Sequence, residues 1–279
     1  VVSYHPSLQQ LRQLLQTLSS QVALTIVVDN GSSPADLAAI RAFLGPQQSL
    51  VPLGRNEGIA VAQNRGMALA VEHGAAFVLL LDQDSHPEPD MAGRLKRHIV
   101  ALLAAGQKVA AVGPRIAGWR GRQGDGSETV QVVDHLIASG SMIPTATLQP
   151  VGGMLEELFI DYVDIEWGLR AGRLGYRSFV AADVVMEHQL GTPMRILGRT
   201  ISTHSPMRHY YMVRNGIWLL RQSWLPSRWR FRVMPKVALH LLLNAVFAKP
   251  HRDHWRMMGR GFADGLAGRM GKAPDSGQD

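Results

Sequence analysis

A chain of 279 residues, 46% of them hydrophobic, can bury a sizeable core as one large domain or as a domain with an appendage. The absence of cysteine excludes a disulfide framework and any thiolate metal site. Its net charge of +7 is segregated: residues 195–279 hold 15 of the 29 Lys and Arg and four of the 22 Asp and Glu, a balance of +11 against −4 for residues 1–194.

Such segregation predicts a domain over 1–194 and a basic helical region over 195–279 suited to an anionic surface. The opening Val1-Val2-Ser3-Tyr4 is strand-like, with no charged leader and apolar signal region. A helix over 7–19 follows, with Leu8, Leu11, Leu14, Leu15 and Leu18 at helical spacing. A strand at 24–28 ends in the turn formers Asp29-Asn30-Gly31-Ser32-Ser33, and Pro34 opens a helix to residue 44. A short strand at 50–53 leads to Asn56-Glu57-Gly58 and a helix with Gly58, Ala62 and Gly66 on one face. That face either packs tightly on a sheet or lets a ligand approach, its amino terminus open to phosphate. Alternating βα units predict an α/β protein with a mostly parallel central sheet flanked by helices.

The apolar run 77–81 reads as a buried strand that delivers Asp82 and Asp84 to its carboxyl end, where open α/β sheets place ligands. In an extended segment the two carboxylates point the same way, a hard-oxygen clamp for Mg²⁺ or Mn²⁺ carrying a phosphorylated ligand. The alternative is an acidic turn capping a helix over 90–105. A strand at 109–112, a Gly- and Arg-rich loop over 113–128 and turns at 139–141 and 152–153 come next. A second acidic stretch, read as a helix beginning near Asp161, sets Asp161 and Asp164 on one face and pairs Glu166 with Arg170 at i, i+4. Asp164, beside Tyr162 and Trp167, suits a general base. A strand at 176–181 precedes Glu187-His188, whose imidazole suits Mn²⁺.

The segment Arg208-His209-Tyr210-Tyr211 through Arg214-Asn215 opens a further helix with arginines available to diphosphate or acceptor phosphate. Asp161, Trp167, Arg208, Tyr211 and Arg214 are the candidate phosphate or acceptor contacts. Farther on, Trp218, Trp224, Trp229, Phe231, Trp255 and Phe262 alternate with basic residues. That pattern suits a helix in an anionic membrane interface, or an ordinary appendage or dimer interface with snorkelling arginines. The run 237–248 falls short of the ~20 residues of a bilayer span, so no transmembrane helix is expected.

In this order the motifs VVSYHP, VVDNGSS, RNEGIAVAQNRG, LLLDQDS, FIDYVDIEWGLRAGRLGYR and MEH resemble the inverting glycosyltransferases of family 2, over residues 1–220. With RHYYMVRN, they look most like the bacterial rhamnosyltransferases that use dTDP-L-rhamnose in O-antigen-type polysaccharide synthesis. The resemblance implies a GT-A fold, a divalent Mg²⁺ or Mn²⁺ cofactor, and a saccharide or polyprenyl-diphosphate-linked acceptor at the inner face of the bacterial plasma membrane. By position it implies that Asp29 receives the donor base, while Asn56, Gly58 and Asn64 wrap the nucleotide. Asp82 would lie near the ribose and Asp84 on metal and diphosphate, with His188 completing the metal site and Asp164 the catalytic base. His5 stands where the family usually has Asn, and Val163 where it usually has Glu before the base. The processive synthases' QxxRW motif is absent, which implies one sugar transferred per encounter.

Three other readings compete. A family 2 enzyme could use a UDP-sugar instead. An aspartate-nucleophile phosphatase also opens on an apolar strand and DxD, but not after three βα units. A nucleic-acid-binding protein fits the basic, Trp-containing end, yet no recognisable module is present and the acidic amino-terminal part argues against such a partner. The sequence leaves a homo-oligomer open.

Overall fold

The computed structural model describes residues 1–117, 129–187, 192–196, 199–247 and 249–274. It divides into two compact units, the first comprising Val1–Leu155 and Asp164–His188, the second Glu156–Val163 and Gln189–Asp279.

The first unit opens with β1 (Val2–Ser3), α1 (Leu8–Leu18), β2 (Thr25–Asp29), α2 (Pro34–Phe43) and β3 (Gln48–Pro52). The three strands pair in parallel in the order β1-β2-β3. The Ser7 hydroxyl caps α1 by accepting from Gln10 N, and Leu11, Leu14, Leu15 and Leu18 of that helix are all buried. Each fully buried leucine contributes about 1.5–3 kcal/mol, so this stripe outweighs the cap in holding the helix. Ser33 and Asp36 form a reciprocal capping box at α2, with Pro34 in its first turn.

Next come α3 (Ile59–Glu72), β4 (Phe77–Leu79), β5 (His86–Pro87), α4 (Met91–Ala104), β6 (Val109–Ile116), β7 (Val130–Val133), β8 (Met142–Pro144) and α5 (Thr145–Val151). After a single 3-10 turn (Glu156–Leu158), α6 (Val163–Arg173) and β9 (Arg177–Glu187) complete the α/β part. These strands form a mixed sheet in the order β4-β8-β6-β9-β5, with β7 also on β9. β6 and β9 run parallel, while β8 is antiparallel to both β4 and β6. A parallel bridge from Val2 to Asp82, with Val2 N donating to Leu81 O, carries the pairing from β1 to the end of the β4 segment. Leu14 and Leu18 of α1, Leu95 and Ile99 of α4, Val112 of β6 and Phe179 of β9 share one core.

A Cβ on Gly66 would lie 3.4 Å from Val28, so the small face of α3 packs directly on β2. β6 runs on to Ile116, past the residue 112 expected, and residues 118–128 of the anticipated loop lie outside the described residues.

In the second unit a hairpin, β10 (Thr192–Ile196) with β11 (Arg199–Thr203), precedes α7 (Pro206–Leu220). One π-helical turn (Trp229–Val233), α8 (Met234–Phe247) and α9 (His251–Ala267) follow. Gly261 and Gly265 let α9 approach the backbone of α7: a Cβ at 261 would overlap the Tyr210 carbonyl, and one at 265 would sit 2.7 Å from that of Arg214. No helix among the described residues is long and apolar enough to cross a membrane.

Candidate active site

The carboxyl ends of β1, β2, β3 and the β4 segment are laced into one edge. Asn30 N donates to Ser3 O, Leu53 N to Asp29 O, and Tyr4 N to the Gln83 side chain. Gly31, at φ +102°, sits where a Cβ would come within 2.5 Å of the Arg55 backbone, so only glycine lets the loop after β2 touch the loop before α3. Across that contact Asn30 Nδ2 donates to Asn56 Oδ1, which also accepts from Gly58 N, and Asn30 Oδ1 accepts from Glu57 N. The expected Asn56 and Gly58 therefore belong to one lattice with Asn30, a residue the sequence marked only as a turn former.

Asp29 is fully buried and accepts from Ser3 Oγ, Gly31 N, Ser32 N and Ser32 Oγ at 2.6–3.1 Å. Four donors saturate a carboxylate's lone pairs, so Asp29 organises this loop instead of offering an oxygen to a base. Asn64 is likewise committed, its amide donating to Met154 O and accepting from Met154 N.

Asp82-Gln83-Asp84 is a turn, closed by Ser85 N on Asp82 O, and not the extended segment that the alternation argument assumed. Both aspartates are half-buried. Asp82 N is held by the hydroxyls of Ser85 and Ser139, which lie 2.6 Å from each other and are both buried.

Asp164 stands in the first turn of α6, a favourable position for a carboxylate. Its Oδ1 accepts from Ile165 N and its Oδ2 from Ala138 N at 3.2 Å. Consecutive residues thus join the two acidic motifs: Ala138 holds Asp164, and Ser139 holds the Asp82 turn. Sequence reading reached this segment only as a turn, because the link exists through tertiary pairing. His135 lies against α6, where a Cβ on Gly168 would meet it at 2.7 Å. Burial pushes its imidazole below the ordinary value, while the Asp164 charge opposes that shift.

The helix does not begin near Asp161. Phe159, Asp161 and Tyr162 have φ of +64°, +62° and +66°, a left-handed run that forbids the i, i+3 relation expected of Asp161 and Asp164. Asp161 instead receives the Arg208 guanidinium through Nε and Nη2 at 3.0–3.3 Å, which brings together two residues proposed as separate contacts. Glu166 and Arg170 pair as expected, Nε to Oε1 at 2.7 Å, and Arg170 also binds the carbonyls of Val151 and Gly153.

Three further candidates are structural. Trp167 is buried and donates its indole N–H to Gly152 O. Tyr211 is buried, stacked on Phe159, and its hydroxyl accepts from Ala273 N. Arg214, 1% exposed, spends its guanidinium on Asn215 Oδ1 and the carbonyls of Glu157, Leu158 and Gly271, so it cannot reach a phosphate. Asn215 Nδ2 points at the carbonyls of Leu158, Ile160 and Asp161, clamping the left-handed run to α7.

His188 lies outside the described residues, and no group of three or more metal-ligating side chains occurs among those described. Asp82 and Asp84 nevertheless match the way Mg²⁺ is commonly bound, by one or two carboxylates plus substrate phosphates and water.

The Glycosyl transferase family 2 sequence model matches residues 1–138. The chain is 30% identical over 298 residues to dTDP-rhamnosyl transferase RfbF of Shigella flexneri, covering 97% of this chain and 95% of that protein. Among solved structures, S. aureus TarS superposes with a TM-score of 0.60 at 18% identity, over 96% of this chain and 48% of that one, so the chain spans about half of TarS. TarS 1–349 in complex with UDP-GlcNAc gives 0.58 at 16% identity, over 95% of this chain and 80% of that one. GalNAc-T7 with UDP, GalNAc and Mn²⁺ gives 0.57 at 10% identity, over 95% of this chain and 55% of that one. The structural likenesses show the GT-A fold, and from the relative aligned along nearly its whole length the chain belongs to glycosyltransferase family 2.

Proposed function

We propose that this glycosyltransferase moves L-rhamnose from dTDP-L-rhamnose to a saccharide or polyprenyl-diphosphate-linked acceptor in O-antigen-type polysaccharide synthesis, with inversion, at the inner face of the plasma membrane. One arrangement carries the reaction class: consecutive residues, Ala138 and Ser139, hold an aspartate at a helix start and an aspartate turn at the sheet edge. The sugar rests on the RfbF likeness.

Asp84, with Asp82 beside it and His188 from the MEH motif, would hold the divalent cation; when bound, it supplies charge to offset the departing diphosphate. Asp164 takes the proton of the acceptor hydroxyl as that oxygen bonds to the anomeric carbon and the bond to diphosphate breaks on the opposite face. A single displacement inverts the centre, through a transition state of oxocarbenium character. The basic region 195–279 supplies the contact with the membrane that holds the acceptor.

A UDP-sugar donor is the second reading, favoured by the UDP-GlcNAc and UDP complexes of the structural neighbours. Calorimetry with dTDP, UDP and GDP, each with and without Mn²⁺, decides between them. Metal-dependent binding of dTDP above the others is expected; preference for UDP discards rhamnose, and binding of none discards the transferase mechanism. In the same titrations Asp164→Asn should retain nucleotide affinity, while its turnover in a sugar-transfer assay falls about 10²–10⁴-fold; parallel losses would remove Asp164 as the base.

A further inference from the structure

α8 is apolar on its outward side as well as over most of its inward side, where Asn244 is the one buried polar residue. Met234, Leu241 and Ala245 are buried inward, while Leu239, Leu242 and Val246, at i, i+3 and i+7, remain 48–58% exposed. Phe247 at its end and Phe231 in the preceding turn are 44% and 73% exposed. A surface helix ordinarily turns charged residues outward, and the outward side of α8 carries only Lys236. An uncovered apolar strip of this kind marks an interaction surface.

The charges beside it identify the partner. Exposed Arg232 and Lys236 lie at its amino end, exposed Lys249 and Arg252 just beyond its carboxyl end. No Asp or Glu occurs from residue 188 to residue 252. A second copy seated face to face on α8 would bring cationic flank against cationic flank in either orientation. An anionic surface with an apolar interior meets both requirements.

We propose that the outward face of α8 lies in the headgroup region of an anionic lipid bilayer, parallel to its plane. The assignment rests on the reading of a membrane-held acceptor and names the surface that meets the membrane. Fourteen residues of helix extend about 21 Å, less than the ~30 Å hydrocarbon core, so α8 lies in the interface and does not span it. Leu239, Leu242 and Val246 would enter the acyl boundary while the flanking cations stay at headgroup level.

The test is sedimentation of the full chain with vesicles of phosphatidylcholine, with and without phosphatidylglycerol, at low and high salt. Wild type should bind only the anionic vesicles and release as salt rises. The double variant Leu239→Asp/Leu242→Asp should bind more than roughly tenfold more weakly, with circular dichroism and nucleotide binding unchanged. Because the chain lacks cysteine, Leu242→Cys can carry a single environment-sensitive fluorophore, with exposed Gln13→Cys as control. Its emission should shift to the blue on anionic vesicles at 242 and stay constant at 13. Wild type that ignores vesicles overturns the membrane reading and the proposal together. A double variant that binds like wild type overturns the α8 assignment alone. A concentration-dependent dimer abolished by the variant, without lipid binding, gives the face to a second copy instead.

Discussion

Ser139 ties a hydroxyl to the turn that presents Asp82 and Asp84, and its neighbour Ala138 ties a peptide N–H to Asp164. Ser139→Ala removes a buried hydrogen bond worth about 1 kcal/mol, so the fold should survive. The relative position of Asp164, the proposed base, and the aspartate turn should not survive intact, and a misplacement near 1 Å can cost up to ~10²-fold in rate. The expected outcome is turnover reduced roughly tenfold or more with a small shift in the denaturation midpoint, read by steady-state kinetics beside urea unfolding. Legibility at this scale followed the range of the interaction. The Glu166–Arg170 pair was readable because i, i+4 geometry is local to a helix. The fate of Arg214 was not, because its partners, the carbonyls near 157 and 158, lie more than fifty residues back along the chain. Asp161 misled because three left-handed non-glycine residues have no compositional signature.

Among the elements, α9 offers a comparison between two glycines of opposite consequence. Gly261 faces the Tyr210 carbonyl, whereas a Cβ on Gly259 meets nothing within 4 Å. Alanine gains about 0.8–1 kcal/mol of helix propensity at either site. At 261 that gain is set against overpacking of about 1–3 kcal/mol. Gly261→Ala should therefore lower stability and Gly259→Ala should raise it, in urea titrations of the full chain. The parallel strands β1, β2 and β3 were readable because each is followed by a helix with its own leucine or alanine face. β8 was not, since Met142-Ile143-Pro144 is too short to show a period and is a strand only by pairing with β4 and β6.

For the molecule as a whole, one source of acid sensitivity is a histidine cluster in the second unit. His209 Nδ1 lies 2.8 Å from His254 Nδ1, and His209 is fully buried. Burial first, then the neighbouring His254, His204, His240 and Arg208, push His209 down to about 4. Burial with Arg208 and His240 brings His204 to about 4 as well, and burial also lowers His254. The unfolded chain takes up these protons near the ordinary ~6.5, before the folded chain does. The contribution of this cluster to stability should thus be constant above that value, fall as pH drops from there towards 4, and flatten below. Urea midpoints at successive pH values check this, and His209→Asn should make the slope shallower. The charge imbalance behind the basic region was plain in composition, but the histidine cluster was not, because His254 meets His209 only through the packing of α7 and α9. The course of the chain through its units has a consequence for heredity and for engineering. The polypeptide leaves the first unit at Glu156, returns at Asp164, and leaves again after residue 188. Deleting everything beyond 188 would strip Leu158, Ile160 and Asp161 of the Asn215 amide while leaving them inside the remaining gene product. The second unit is therefore no detachable module to be shuffled between enzymes, and a chimera that keeps residues 156–163 must inherit the helix carrying Asn215 with them.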